Sequence, residues 1–238
     1  MSETLKIHIE HQPDDVTCGP VALQAVYKYW NDIISIDKVI DEVECIDADG
    51  GTTDALLGLH ALQRGYSVCI YPSNLNIFDP TWGTGHHADG FITSRLKERI
   101  KYAPDAKTRR VMDAYIRFTE AGGEICIRNL DDILEYYLKC NCYPTICAVS
   151  ATALYNCSRD FFDGKVSHPD DTYGDPCGHF VIATSMDEFT RKVEIADPYA
   201  YGDNGNNYTV DFSWLMKSIY LGVSTFDGSL ISIKPRDD

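Results

Sequence analysis

A glutamine stands six residues ahead of a cysteine that opens an apolar helical pattern, in the segment His11-Gln12-Pro13-Asp14-Asp15-Val16-Thr17-Cys18-Gly19-Pro20. From Gly19 to Trp30, the residues Leu23, Val26, Tyr27 and Trp30 recur at i, i+3, i+4 and i+7. That spacing predicts a helix with one apolar stripe, and Pro20 suits its first turn. Cys18 then heads the helix, where the partial positive charge of the backbone favours thiolate over thiol, and the thiolate is the attacking species. Gln12, one loop upstream, is placed to offer its amide to the oxyanion formed when a thiolate adds to a carbonyl. Such a donor stabilises a transition state by about 3 kcal/mol. An isolated cysteine at a helix start reads equally well as a small buried hydrophobe, so the functional reading depends on partners elsewhere in the chain.

Two strand-like runs, His179 to Thr184 and Lys192 to Ala196, flank the turn-like Asp187-Glu188-Phe189-Thr190. A hairpin symmetric about Glu188 sets His179 opposite Asp197, with Cβ atoms about 5 Å apart, close enough for the carboxylate to accept an imidazole N–H. A slip by an even number of residues keeps both side chains on one face. His8, His11, His60, His86, His87 and His168 compete for the role of base, but only His179 begins a strand whose hairpin partner ends in an aspartate. Together the residues form a set for acyl transfer: Cys18 attacks, His179 moves the proton, Asp197 fixes the imidazole tautomer and Gln12 donates to the oxyanion.

Bulk properties narrow the context. The chain has 238 residues, 44% hydrophobic and 24% charged, enough for one domain with its own core. No apolar run approaches the length of a membrane span, and Met1 to Lys6 lacks a basic region followed by an apolar block, so a cytoplasmic protein without membrane partner is expected. A formal net charge of -15 argues against nucleic acid as a partner. Nine cysteines, odd in number and irregularly spaced, are expected to be reduced thiols. Cys69, Cys126 and Cys147 lie in apolar runs and read as core filler. Cys140, Cys142, Cys157 and Cys177 do not match the spacing of structural zinc sites, so no metal and no cofactor is expected.

Along the chain, Ser35 caps a helix carrying Ile36, Val39, Ile40 and Val43, and a third helix runs from Thr53 to about Arg64 and closes at Gly65. Strands are expected at Tyr66 to Tyr71, Ile125 to Ile127, Thr145 to Ser150, Tyr208 to Val210 and Leu230 to Ile233, with a helix at Asp131 to Leu138. Residues 74–123 break this rhythm with a polar loop and two helical patterns, read as an inserted cap or lid bordering the site. His86 and His87 in that loop read as solvated. The Gly- and Asn-rich stretch Gly202 to Asn207 lacks the spacing of a phosphate loop.

The segments Gln12 to Leu23, Gly178 to Ala183 and Ala196-Asp197-Pro198 together resemble the peptidase C39-like family of the papain-like cysteine peptidase group, over roughly residues 7–72 and 143–199. The resemblance implies a papain-like α/β (α+β) fold in a single domain of residues 1–238, with a helical half carrying the cysteine and a twisted antiparallel sheet carrying histidine and aspartate. It places the oxyanion glutamine at Gln12, the nucleophile at Cys18, the base at His179 and the orienting acid at Asp197. Gly178, Asp14 and Trp82 are the candidate substrate-binding residues, the last from a Phe78-Asp79-Pro80-Thr81-Trp82 element resembling that of stand-alone members with a longer middle. The implied activity is a cysteine hydrolase acting on a peptide, protein or small amide. Two alternatives stay open: a transferase in which an amine resolves the thioester, and a peptide-binding module without catalysis.

Overall fold

The computed structural model describes residues 7–46, 51–85, 88–140, 144–199, 205–225 and 228–236. Three helices come first: α1 (Cys18–Tyr29), α2 (Ile36–Glu42) and α3 (Asp54–Gln63). Strand β1 (Tyr66–Pro72) follows, then helices α4 (Phe91–Arg99) and α5 (Ala106–Glu120), strand β2 (Glu124–Ile125), helix α6 (Leu130–Cys140) and strand β3 (Thr145–Ser150). A short helix α7 (Ala151–Tyr155) and a two-stranded ribbon of β4 (Asp160–Phe162) and β5 (Ser167–Pro169) precede the long hairpin β6 (Gly178–Asp187) and β7 (Lys192–Ala196). The chain closes with β8 (Asn207–Asp211), α8 (Phe212–Leu221) and β9 (Ser229–Pro235).

Seven strands form one sheet in the order β2-β1-β9-β3-β6-β7-β8, antiparallel except where β1 meets β2. Strand β3 shows why both faces are covered. Ile146 and Ala148 join the core beneath α1, α3 and α5, while Cys147 and Val149 join a second core beneath α6, α7 and α8. Both faces being buried, β3 reads as an unbroken apolar run.

Helix α1 departs from the single stripe expected of it: Cys18 through Tyr27 are all buried, so it runs through the core. The segment 74–123, read as an inserted cap or lid, supplies helix α5 to the core. Val111, Met112, Tyr115 and Phe118 of α5 share a core with Leu23 and Val26 of α1, and Tyr115 Oη donates to the buried Asp54 of α3 at 2.8 Å. Helix α8 and the β4–β5 ribbon had no counterpart in the expected elements.

The hairpin register differs from the symmetric one. Asp187 pairs with Lys192 and Ser185 with Glu194, but beyond a bulge at Thr184, Ala183 pairs with Ile195 and Ile182 with Ala196. Continued, the ladder sets Val181 opposite Asp197, so His179 lies two residues further along and on the same face. Without the extra residue, Asp197 would stand opposite Ile182 and face away from His179.

Gly19 lets α1 begin this deep. A Cβ there would lie 2.8 Å from Thr52 Cγ2, 3.2 Å from Phe180 Cδ2 and 3.3 Å from Leu57 Cδ1. Overpacking of this kind costs about 1–3 kcal/mol. Gly19→Ala is therefore expected to lower the denaturant midpoint by that equivalent, with an unchanged m-value.

Candidate active site

The site is assembled where α1 begins and β6 begins. Cys18, 8% exposed, heads α1, and His179 is the second residue of β6, paired across the ladder with Val149. His179 Nε2 lies 2.8 Å from Asp197 Oδ1, which leaves Nδ1 as the ring nitrogen able to exchange a proton with Cys18. The imidazole and the Cys18 side chain face the same cleft, close enough for the Cys18 charge to act on the ring. The sequence thus brings Cys18, His179 and Asp197 together from positions far apart in the chain.

Asp197 is wholly buried just past the end of β7. Oδ1 accepts from His179 and from the Tyr199 backbone N–H at 2.8 Å, and Oδ2 accepts from Tyr155 Oη at 2.8 Å and Tyr208 Oη at 2.5 Å. Four donors occupy the roughly four lone-pair sites of a carboxylate. Burial, with the adjacent Asp197 charge, holds both phenols well above their ordinary range, so they remain donors. The backbone of Asp197 is pinned too: its N–H donates to Asn206 O at 2.8 Å and its carbonyl accepts from Asn206 Nδ2 at 2.7 Å.

Tyr155, Tyr199, Tyr208 and Asn206 were not anticipated from the sequence. Tyr155 ends a five-residue helix capped by Ser150 Oγ on Ala153 N–H and braced by Trp214 Nε1 donating to Leu154 O at 3.0 Å. Tyr208 arrives from the neighbouring strand opposite Ile195. The only sequence signal was that Tyr208 lies in a strand following Asp197.

Gln12 is buried, and its backbone N–H donates to Pro198 O at 2.9 Å, tying its loop to the turn after Asp197. Its Nε2 donates to Asp14 O at 2.7 Å, and its Oε1 is buried without a partner among the described residues. Asp14 itself is exposed and accepts the Val16 N–H at 3.0 Å, a turn that shapes the Gln12 loop.

A cleft of ≈480 Å³ opens on Cys18 and His179, walled by Gly178, Thr52, Phe180 and, from α5, Lys107 and Val111. Asp15 lines it and Asp14 does not. Trp82 sits in a different concavity with Phe91 and Ile125, packed edge-on against Phe78. Of the other histidines, His60 is buried and bonded to Tyr27 Oη at 2.8 Å, and His8, His11 and His168 are exposed. His86 and His87 lie outside the described residues, as do Cys142 and part of the Gly202–Asn207 stretch.

Burial pulls the His179 imidazole toward its neutral form. The Cys18 charge and the hydrogen bonds to Asp197 and Cys18 outweigh this, raising its pKa to about 10. A cysteine at the head of a helix thus meets a histidine and an aspartate held on an antiparallel sheet.

The fold is mixed, one mostly antiparallel seven-stranded sheet with helices packed on both faces. No protein-family model and no curated protein matches the chain. Among solved structures it is similar to a double glycine motif protease from an AMS/PCAT transporter in complex with the leader peptide, at 12% identity over 99% of this chain and 96% of that one, with a TM-score of 0.49. It is also similar to the peptidase domain of Streptococcus ComA, a bi-functional ABC transporter involved in quorum sensing, at 12% identity over 97% and 100% of the two chains and a TM-score of 0.46. A third is xylellain, a cysteine protease from Xylella fastidiosa, at 15% identity over 98% and 87%, with a TM-score of 0.41. No helix among the described residues is long and apolar enough to cross a membrane.

Three outcomes follow for the buried network. Because the raised pKa owes most to Cys18, Cys18→Ala is expected to move the His179 titration to lower pH, read by NMR of labelled imidazole. The stabilisation carried by the imidazolium is complete below the ordinary histidine value near 6.5 and is lost as pH rises through about 10. Tyr208→Phe removes one hydrogen bond to a buried charge and is expected to cost about 1.5–3 kcal/mol in denaturant unfolding.

Proposed function

We propose that the chain is a C39-like cysteine peptidase or amide hydrolase whose nucleophile is Cys18. What supports this reading above all is His179, held through Nε2 by a buried carboxylate and lining one cleft with Cys18. In this reading the pair rests as thiolate and imidazolium. Cys18 Sγ adds to the scissile carbonyl, the oxyanion is received by the Cys18 backbone N–H at the open end of α1 and by the second amide hydrogen of Gln12, and His179 Nδ1 gives its proton to the departing amine. The acyl group is left as a thioester on Cys18. His179, now neutral, takes a proton from water, whose hydroxyl attacks the thioester and releases the acid. Thiolate and imidazolium are restored.

Asp197 keeps the ring oriented with Nδ1 toward Cys18, and the cleft beside them, with Gly178 on its wall, receives the peptide or amide. Asp15 and Asp175 on that wall, in a chain of net charge -15, favour a substrate with basic groups near the scissile bond.

Cys18→Ala is expected to abolish turnover, a loss on the order of 10⁶-fold, and to abolish labelling by an electrophilic probe while far-UV circular dichroism is kept. Turnover at the wild-type rate in that variant would exclude Cys18 as nucleophile. The pH profile of kcat/KM is expected to fall on its alkaline side as His179 loses its proton through about 10, because the leaving amine then lacks its acid. Products formed with a competing amine, resolved by mass spectrometry, separate hydrolysis from transfer.

A further inference from the structure

Outside the cleft, at the β2 edge of the sheet, two cysteines and a glutamate converge. Cys69 pairs with Glu124 across the parallel β1–β2 ladder, and Cys126 N–H donates to Ile70 O at 2.9 Å, extending that ladder by one step. Alternation puts Glu124 and Cys126 on one face of their strand, and the register sets Cys69 beside them. The two Sγ atoms and a Glu124 carboxylate oxygen all lie within 4.8 Å of one another. Cys69 and Cys126 are half-buried and Glu124 is exposed, which revises their reading as core filler.

We propose that Cys69, Glu124 and Cys126 bind a thiophilic divalent ion of the zinc class, with water completing a tetrahedron. The donor set selects the ion: two sulfurs and one carboxylate suit zinc and not magnesium or calcium, which take oxygen ligands. Bonds of about 2.0–2.3 Å hold tetrahedral donors roughly 3.3–3.8 Å apart, and rotation of the exposed Glu124 side chain covers the difference.

Tyr71, two residues further along β1, has its hydroxyl 2.9 Å from that of Tyr137, and both tyrosines line the same concavity as Cys69 and Glu124. Coordination of the dication by both sulfurs expels to solvent the protons the two thiols hold and leaves two thiolates and one carboxylate on the ion. The ion would clamp the two-residue strand β2 to β1, an edge otherwise held by few ladder bonds.

The test uses the full chain carrying Cys18→Ala, which removes the reactive thiol, in reduced and metal-free form. Titration with Co²⁺ is expected to give one equivalent bound with thiolate-to-cobalt charge-transfer absorption, proton release on binding, and displacement by Zn²⁺. Adding Cys126→Ser or Glu124→Gln is expected to weaken binding at least tenfold with the circular dichroism spectrum kept. Glu124 is exposed, so its amide variant leaves the fold intact. Absence of the charge-transfer band in the reduced protein, or its survival undiminished in the Cys126→Ser variant, overturns the proposal. Isolation of a Cys69–Cys126 disulfide whose reduced form takes up no cobalt overturns it as well.

Discussion

A carboxylate with no access to water organises this half of the molecule. Burying an ionised Asp197 alone would cost several kcal/mol, and the structure offsets that cost with donors from β6, α7, β8 and its own turn. Each donor is in turn fixed by something else: Tyr155 by a capped helix that Trp214 braces, Tyr208 by the β7–β8 ladder. Even the Gln12 loop hangs from the carbonyl of Pro198, the next residue in the chain. Satisfying one charge thereby orders the imidazole, the loop ahead of the nucleophile and the last strands of the sheet.

The local signals in the sequence were good guides to elements and poor guides to how elements meet. The helices at Cys18 and Asp54 and the strands around Ile146, Ile182 and Ile195 stand where periodicity puts them, because each is a short segment whose own pattern decides its shape. His179 and Asp197 were found from strand ends and a turn, yet the register itself was off by two residues. A bulge has no sequence signature as plain as a turn, and here parity alone saved the pairing.

What escaped reading depends on tertiary packing. Tyr155 sits in a helix too short to show a period, and its contact with Asp197 spans 42 residues. The segment at 74–123 interrupts the rhythm of the chain, and its sequence does not say that α5 presents Val111, Met112, Tyr115 and Phe118 to a core shared with α1. An amphipathic helix announces that it has an apolar face and not which surface that face covers. Likewise Cys69 and Cys126 show their adjacency only once β1 and β2 are laid side by side.

The bulge at Thr184 also sets a rule for how such a chain can change length over evolutionary time. Insertions at the exposed tip around Glu188 and Phe189 lengthen a loop and leave the ladder alone. One residue gained or lost between Ser185 and His179, or between Glu194 and Asp197, turns the acid to the opposite side of the sheet unless a second single-residue change restores the parity. Among descendants of this hairpin, indels in the two strands should therefore come in compensating pairs, while the tip drifts freely.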